Sequence, residues 1–134
     1  MKIVLLDTNI YISAILFGGN LKKIINLARQ KKFQIIISEY IIWEIREALS
    51  RKFKIPESKL NQIEYDILSL AKVIKVTSIV SLIAKDPVDN EILACAKDGK
   101  ADCIVTGDKL ILSINKYMGI EILSPSKFLG IIEH

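Results

Sequence analysis

Four acids stand out by position in this sequence: Asp7, Glu44, Asp89 and Asp108. Asp7 closes the apolar run Ile3-Val4-Leu5-Leu6 and opens the polar triplet Asp7-Thr8-Asn9. Glu44 falls on the second turn of a helix expected from Ser38 onward. Asp89 opens another helix, and Asp108 follows the short apolar run Cys103-Ile104-Val105 and Thr106-Gly107. Residue types narrow the chemistry further. The single histidine is His134, and the two cysteines, Cys95 and Cys103, form no CxxC pair. This argues against a zinc site, a Ser-His-Asp triad and imidazole acid–base work. The cysteines read as free, mostly buried thiols. Any catalysis must then rest on carboxylates, on lysines or on a metal held by oxygen.

The elements that would position these acids follow from hydrophobic patterning. Ile3–Leu6, Phe33–Ile37, Val73–Val76, Cys103–Val105 and Ile120–Leu123 read as five short buried strands. Helical patterns separate them: an apolar helix from Ile10 to Phe17 stopped by Gly18-Gly19, and a second capped by Asn20. Others start at Ser38, near Pro56, at 86–90 and at Leu110, and Pro125 starts a closing helix. Gly99 is expected to end the helix that contains Asp89. Strands alternating with helices imply an α/β fold with a parallel sheet covered on both faces, in one domain spanning residues 1–134. Open sheets of this kind place ligands at the carboxyl ends of their strands, where Asp7 and Asp108 fall. Asp7 can face that crevice while Thr8 or Asn9 caps the following helix. Tyr11 and Trp43 are expected in the core; their alternative role is as base-stacking platforms.

The sequence is 51% hydrophobic and 25% charged, with a net charge of +4 and a pI of about 9.0. No apolar run is long enough to span a membrane, and the start lacks a signal-peptide pattern, so a cytoplasmic protein is expected. The positive balance favours an anionic partner such as RNA. Basic residues are densest in the first half, including Lys22, Lys23 and Arg46; their alternative role is to solvate helix faces.

Four segments together resemble the PIN-domain nucleases, especially the toxins of toxin–antitoxin pairs. They are Ile3-Val4-Leu5-Leu6-Asp7-Thr8-Asn9, Trp43-Glu44-Ile45, Asp89-Asn90-Glu91-Ile92-Leu93-Ala94-Cys95-Ala96 and Val105-Thr106-Gly107-Asp108. They span nearly the whole chain in the family's order. The resemblance implies a three-layer α/β/α sandwich with a five-stranded parallel sheet ordered 3-2-1-4-5. It implies a Mg²⁺- or Mn²⁺-dependent endoribonuclease acting on single-stranded RNA. Asp7, Glu44, Asp89 and Asp108 would then hold one or two ions, with Asn9 and Thr106 orienting the acids, and Lys22, Lys23 and Arg46 are candidates for binding RNA. A small antitoxin and a homodimer are the implied protein partners. Hydrolysis of a phosphodiester needs an activated water and relief of developing negative charge; hard cations on carboxylate oxygens supply both.

Each acid also has a plainer role available. Asp7, Asp89 and Asp108 could be caps or turn residues, and Glu44 a surface helix acid. Asp86 competes with Asp89, although its place before Pro87 favours capping. Glu91, Asp98 and Asp102 read as surface or capping residues. Other phosphoryl-transfer folds fit poorly, because Asp7-Thr8-Asn9 lacks a second Asp and Thr77-Ser78 follows strand three. The non-enzyme alternative is a relative of the same fold that binds RNA or a partner without cutting.

Overall fold

Ile3–Leu6 (β1) forms the centre of the sheet because it is apolar throughout and can be covered on both faces. Val4, Leu5 and Leu6 are fully buried, as are Ile37, Ile104 and Val105. The computed structural model describes residues 1–80 and 87–133. From β1 the chain runs through α1 (Thr8–Phe17) and α2 (Gly19–Arg29) to β2 (Gln34–Ile37), then α3 (Glu39–Phe53), α4 (Glu57–Leu70) and β3 (Ala71–Val73). It continues with α5 (Pro87–Asp98), β4 (Cys103–Val105), α6 (Lys109–Ile114), β5 (Lys116–Tyr117), β6 (Ile120–Leu123) and α7 (Pro125–Ile132).

The sheet order is β3-β2-β1-β4-β6-β5. Its first five members are parallel neighbours and reproduce the expected 3-2-1-4-5 order. The sixth strand is a correction to the expected five. β5 pairs antiparallel with β6, Tyr117 opposite Ile120, across a two-residue turn at Met118 and Gly119. Both turn residues have positive φ, 50° and 81°, which matches the twist of a tight hairpin. Two residues of mixed polarity carry no periodic signal, so the pattern could not reveal this strand.

Other boundaries moved for local reasons. β3 lies at Ala71–Val73 rather than Val73–Val76. Its ladder runs beside Ile35–Ile37 and closes with Ile74 N–H on Ile37 O at 2.7 Å, so it stops where β2 stops. α2 starts one residue before Asn20, with Gly18 at the N-cap position and φ of 71°; the sharp turn out of α1 needs that glycine. Gly99 follows α5, but the left-handed position belongs to Lys100, φ 53°. Gly99 serves close approach instead: a Cβ there would lie 2.4 Å from Ile36 Cδ1 and 3.1 Å from Ile74 Cγ1. Ser38 caps α3 as expected, accepting from Ile41 N–H at 3.2 Å.

Candidate active site

Strands β1 and β4 are in register, Leu6 beside Val105, so the residues that follow them emerge side by side at the carboxyl edge. Asp7 N–H continues the ladder to Val105 O at 3.0 Å. The Asp7 side chain is 4% exposed, and its Oδ2 accepts from Thr106 Oγ1 at 2.7 Å. Thr106 is fully buried, and the same hydroxyl oxygen accepts from Asp108 N–H at 3.0 Å. That second bond directs the hydroxyl hydrogen to Asp7, because Asp108 N–H occupies the oxygen's accepting side. One threonine thus couples the segments that carry two of the four acids.

Asp7, not Thr8 or Asn9, occupies the N-cap position of α1, and its carbonyl accepts from Ile10 N–H at 3.0 Å. Its carboxylate makes no side-chain cap, which leaves it directed by Thr106. Thr8 is buried, and Asn9 is exposed in the first helical turn. Asp108 caps α6: Oδ1 accepts from Leu110 N–H at 2.8 Å and from Ile111 N–H at 3.2 Å. The plainer reading of Asp108 therefore holds for one oxygen, while its place after β4 keeps it at the crevice.

The other two acids arrive on helices. α3 begins directly after β2 and α5 leads into β4, so both helices run back along the parallel sheet and start at its carboxyl edge. Asp89 lies in the first turn of α5 and is 4% exposed; Glu44 lies one turn into α3 and is half-buried. α5 packs on β1 and on α3. Asp86, the competitor for the role of Asp89, lies outside the described residues.

Among the described residues, no three His, Cys, Asp or Glu side chains stand close enough together to hold a metal between them. This does not disqualify a hard divalent ion. Mg²⁺ commonly keeps several waters and takes only one or two carboxylates from the protein. Carboxylates such as those of Asp7 and Asp89 are the donor type such an ion prefers.

Elsewhere the expectations divide. Tyr11 is in the core; burial pushes its phenol far above the ordinary range, and its hydroxyl lacks a hydrogen-bond partner among the described residues. Trp43 is not in the core: it is 53% exposed, because at its place on α3 the buried side is taken by Ile41, Ile45, Ala48 and Leu49. Both cysteines are free and buried, with thiols pushed up to about 12 by burial. Lys22 and Lys23 are exposed on α2, and Lys23 Nζ pairs with Glu133 Oε1 at 2.7 Å. Arg46 is engaged within the fold. It holds α4 to α3 through Glu57 and through Glu64, the latter at 3.2 Å.

Two acids outside the set are more than surface residues. Asp102 Oδ2 accepts from Ile3 N–H at 2.7 Å and ties down the start of β1. Asp98 accepts from Thr77 N–H at 2.6 Å, from Ser78 N–H at 2.8 Å and from the Ser78 hydroxyl. Its carboxyl is lowered to about 2, first by the Ser78 hydroxyl and then by the two amides. Its partners lie about twenty residues away, so no local spacing could have revealed them.

A family model for the PIN domain matches residues 3–110. The chain belongs to the PIN-domain family. The match contains Asp7, Glu44, Asp89 and Asp108, and the resemblance read from the four segments is borne out. No curated protein matches the chain in sequence. Among solved structures, it is similar to VapBC2 from Rickettsia felis, determined bound to a DNA fragment from their promoter. That match has 23% identity and a TM-score of 0.64, covering 92% of this chain and 98% of the other. It is also similar to PAE2754 from Pyrobaculum aerophilum, with 15% identity and a TM-score of 0.66, over 98% of this chain and 90% of the other. At these identities the likeness is one of fold, and both establish the PIN-like α/β sandwich. No helix among the described residues is long and apolar enough to cross a membrane.

Proposed function

We propose that this PIN domain is a divalent-metal-dependent ribonuclease that cuts single-stranded RNA, and that it is the toxin of a toxin–antitoxin pair. The observation that carries this reading is the buried Asp7 carboxylate, aimed by Thr106 at the edge where β1 and β4 deliver two acids. The family supports nuclease chemistry. The likeness to VapBC2 supports the toxin role and a small antitoxin chain as partner.

Asp7, Glu44, Asp89 and Asp108 would hold one or two Mg²⁺ or Mn²⁺ ions, directly or through water. When bound, such an ion supplies an acidified water and offsets charge developing on the phosphate. The chain supplies the rest. Thr106 fixes the Asp7 carboxylate before substrate arrives, so no reorganisation is needed at the reacting centre. Lys22 and Lys23, exposed on α2, meet RNA phosphates, whereas Arg46 is assigned to the α3–α4 contact. Asn9, exposed in the first turn of α1, is the residue that the resemblance assigns to orienting the acids. The protein works in the cytoplasm, as a homodimer, until the antitoxin masks it.

Incubation with a mixed RNA pool, with Mn²⁺ or with EDTA, tests the reading. Cutting in Mn²⁺ that Asp7→Asn abolishes is the expected result. Cutting that persists in EDTA would remove the metal from the mechanism. Binding without cutting, unchanged by Asp7→Asn, would favour the non-catalytic relative.

A further inference from the structure

Trp43 is the only tryptophan in the chain, and it is 53% exposed. Tryptophan is highly buried on average, and here the indole is left open to a ligand. It is not a loose side chain. Tyr40, one turn earlier on α3, lies against it with ring centroids 5.7 Å apart and planes tilted by 52°. The pair is therefore prearranged on the first two turns of α3, at the carboxyl edge, one residue from Glu44. Tyr40 also lines a cleft of mixed polarity, about 620 Å³, together with Ser38, Ile74, Lys75, Val76 and Glu91. Glu91 lies two residues beyond Asp89 on α5. The cleft therefore runs from the aromatic pair towards the helix that carries a candidate catalytic acid.

We infer that Tyr40 and Trp43 form a stacking platform for a base of the single-stranded RNA whose backbone crosses the acidic edge. The inference rests on the proposed ribonuclease reading and names the contact that positions its substrate. A base, rather than a phosphate, fits this face. Glu39 and Glu47 stand one turn to either side of Trp43 on α3, Arg46 beside it is paired with Glu57 and Glu64, and Glu91 lines the cleft, so a phosphate placed there meets a net negative charge. A neutral π-face meets no such penalty, and indole stacking tolerates every base. The exposed Lys75 on the cleft wall gives the adjoining phosphate a cation. A duplex keeps its bases stacked on each other and cannot offer one, so the platform selects single strands.

The single tryptophan makes the test direct. The protein, in Mg²⁺, is titrated with a short single-stranded RNA whose phosphorothioate linkages slow cutting. A backbone of the same length without bases is the control. Trp43 emission should quench saturably with the RNA and not with the control. Trp43→Leu, apolar but without a ring, should weaken binding about tenfold and raise KM more than it lowers kcat, while Trp43→Phe keeps most of the affinity. Both variants should melt like the parent, since the side chain is exposed. RNA binding by anisotropy with unchanged emission, or Leu equal to Phe, would overturn the platform. So would emission that responds only to protein concentration, which assigns the face to a second copy. Emission that responds to an arginine-rich peptide and not to RNA would overturn it as well, by assigning the face to a basic protein partner. A parallel cutting assay keeps the two readings apart. Quenching without cutting sinks the nuclease and leaves the platform; cutting without quenching does the reverse.

Discussion

Thr106 and Asp7 lie on neighbouring strand ends, and the Thr106 hydroxyl donates to Asp7 Oδ2 at 2.7 Å inside the protein. The same oxygen accepts from Asp108 N–H. Thr106→Val keeps the shape, strips the donor from a buried carboxylate and orphans the Asp108 amide. A stability loss of about 1–3 kcal/mol and a loss of activity of about 10- to 100-fold are expected. Thr106→Ser, which restores the hydroxyl, should recover most of both. Urea melts and kcat/KM for the three proteins check this; a Val variant as active as the parent would show that Asp7 needs no aiming.

Asp7→Asn tests whether the acids form one electrostatic site. Carboxylates converging on an edge repel one another without a cation, and an ion binding only the folded state stabilises it by mass action. At about ten times the dissociation constant that gain is roughly 1.4 kcal/mol, a few degrees in Tm. In EDTA the variant should be at least as stable as the parent, and it should lose the Mn²⁺ response. Thermal melts across a Mn²⁺ titration measure both. A parent whose Tm ignores millimolar Mn²⁺ would leave the four acids without a shared ion.

Arg46 and Lys22 should separate stability from RNA binding. Arg46→Ala breaks the two ion pairs that hold α4 to α3 and should cost about 1 kcal/mol, with the slope of RNA affinity against salt unchanged. Lys22→Ala should leave the melt unchanged and flatten that slope, since each phosphate contact contributes to it. The reverse result would return Arg46 to the RNA.

The parts of this fold that are legible in the sequence are those where one local rule decides. β1, β2 and β4 are apolar runs buried on both faces, and Ser38 caps α3 as its type predicts. What is illegible depends on partners distant in the chain. β3 is cut short by the end of β2, and β5 exists only because a two-residue turn folds it onto β6. For the site, strand ends place Asp7 and Asp108 as neighbours. Which groups engage them is less readable: Asp108 spends one oxygen on a cap, and Asn9 is exposed. Trp43 departs from expectation because aromatic type favours a core, while α3 fills its buried face with aliphatic side chains.

Asp98 gives a pH dependence with a defined sign. Its folded carboxyl titrates at about 2, below the ordinary 3.8, chiefly through the Ser78 hydroxyl and then the Ser78 and Thr77 amides. A depressed carboxyl contributes stability above its unfolded value and loses it as the pH falls through the folded one. Asp98→Asn should therefore be less stable than the parent near neutrality, with the gap closing between about pH 4 and pH 2. The carboxylate is accessible to solvent, so the effect is small. Urea midpoints of both proteins across that window check it; a gap that persists at pH 2 would mean the contacts to residues 77 and 78 work without the charge.

Gly99 directly follows the last residue of α5. It sits where α5 meets the sheet, and its φ does not demand glycine, since the left-handed residue is Lys100. Only space demands it. A methyl would press on Ile36 Cδ1 at 2.4 Å, and on Cys95 O and Ile74 Cγ1 at 3.1 Å. Ile36 is buried in β2 and packed on all sides, so it has little room to turn away. Overpacking of this kind costs about 1–3 kcal/mol. Gly99→Ala should lose stability in that range, and Ile36→Val, which removes the Cδ1 atom, should restore part of it in the double variant. A double-mutant cycle from urea melts measures the coupling. Because α5 also carries Asp89 at its other end, a tilt forced by the new methyl would move that acid. Activity falling in Gly99→Ala and returning with Ile36→Val would show that the packing at the foot of α5 sets the position of Asp89. Additive effects of the two substitutions would mean that the methyl is accommodated elsewhere.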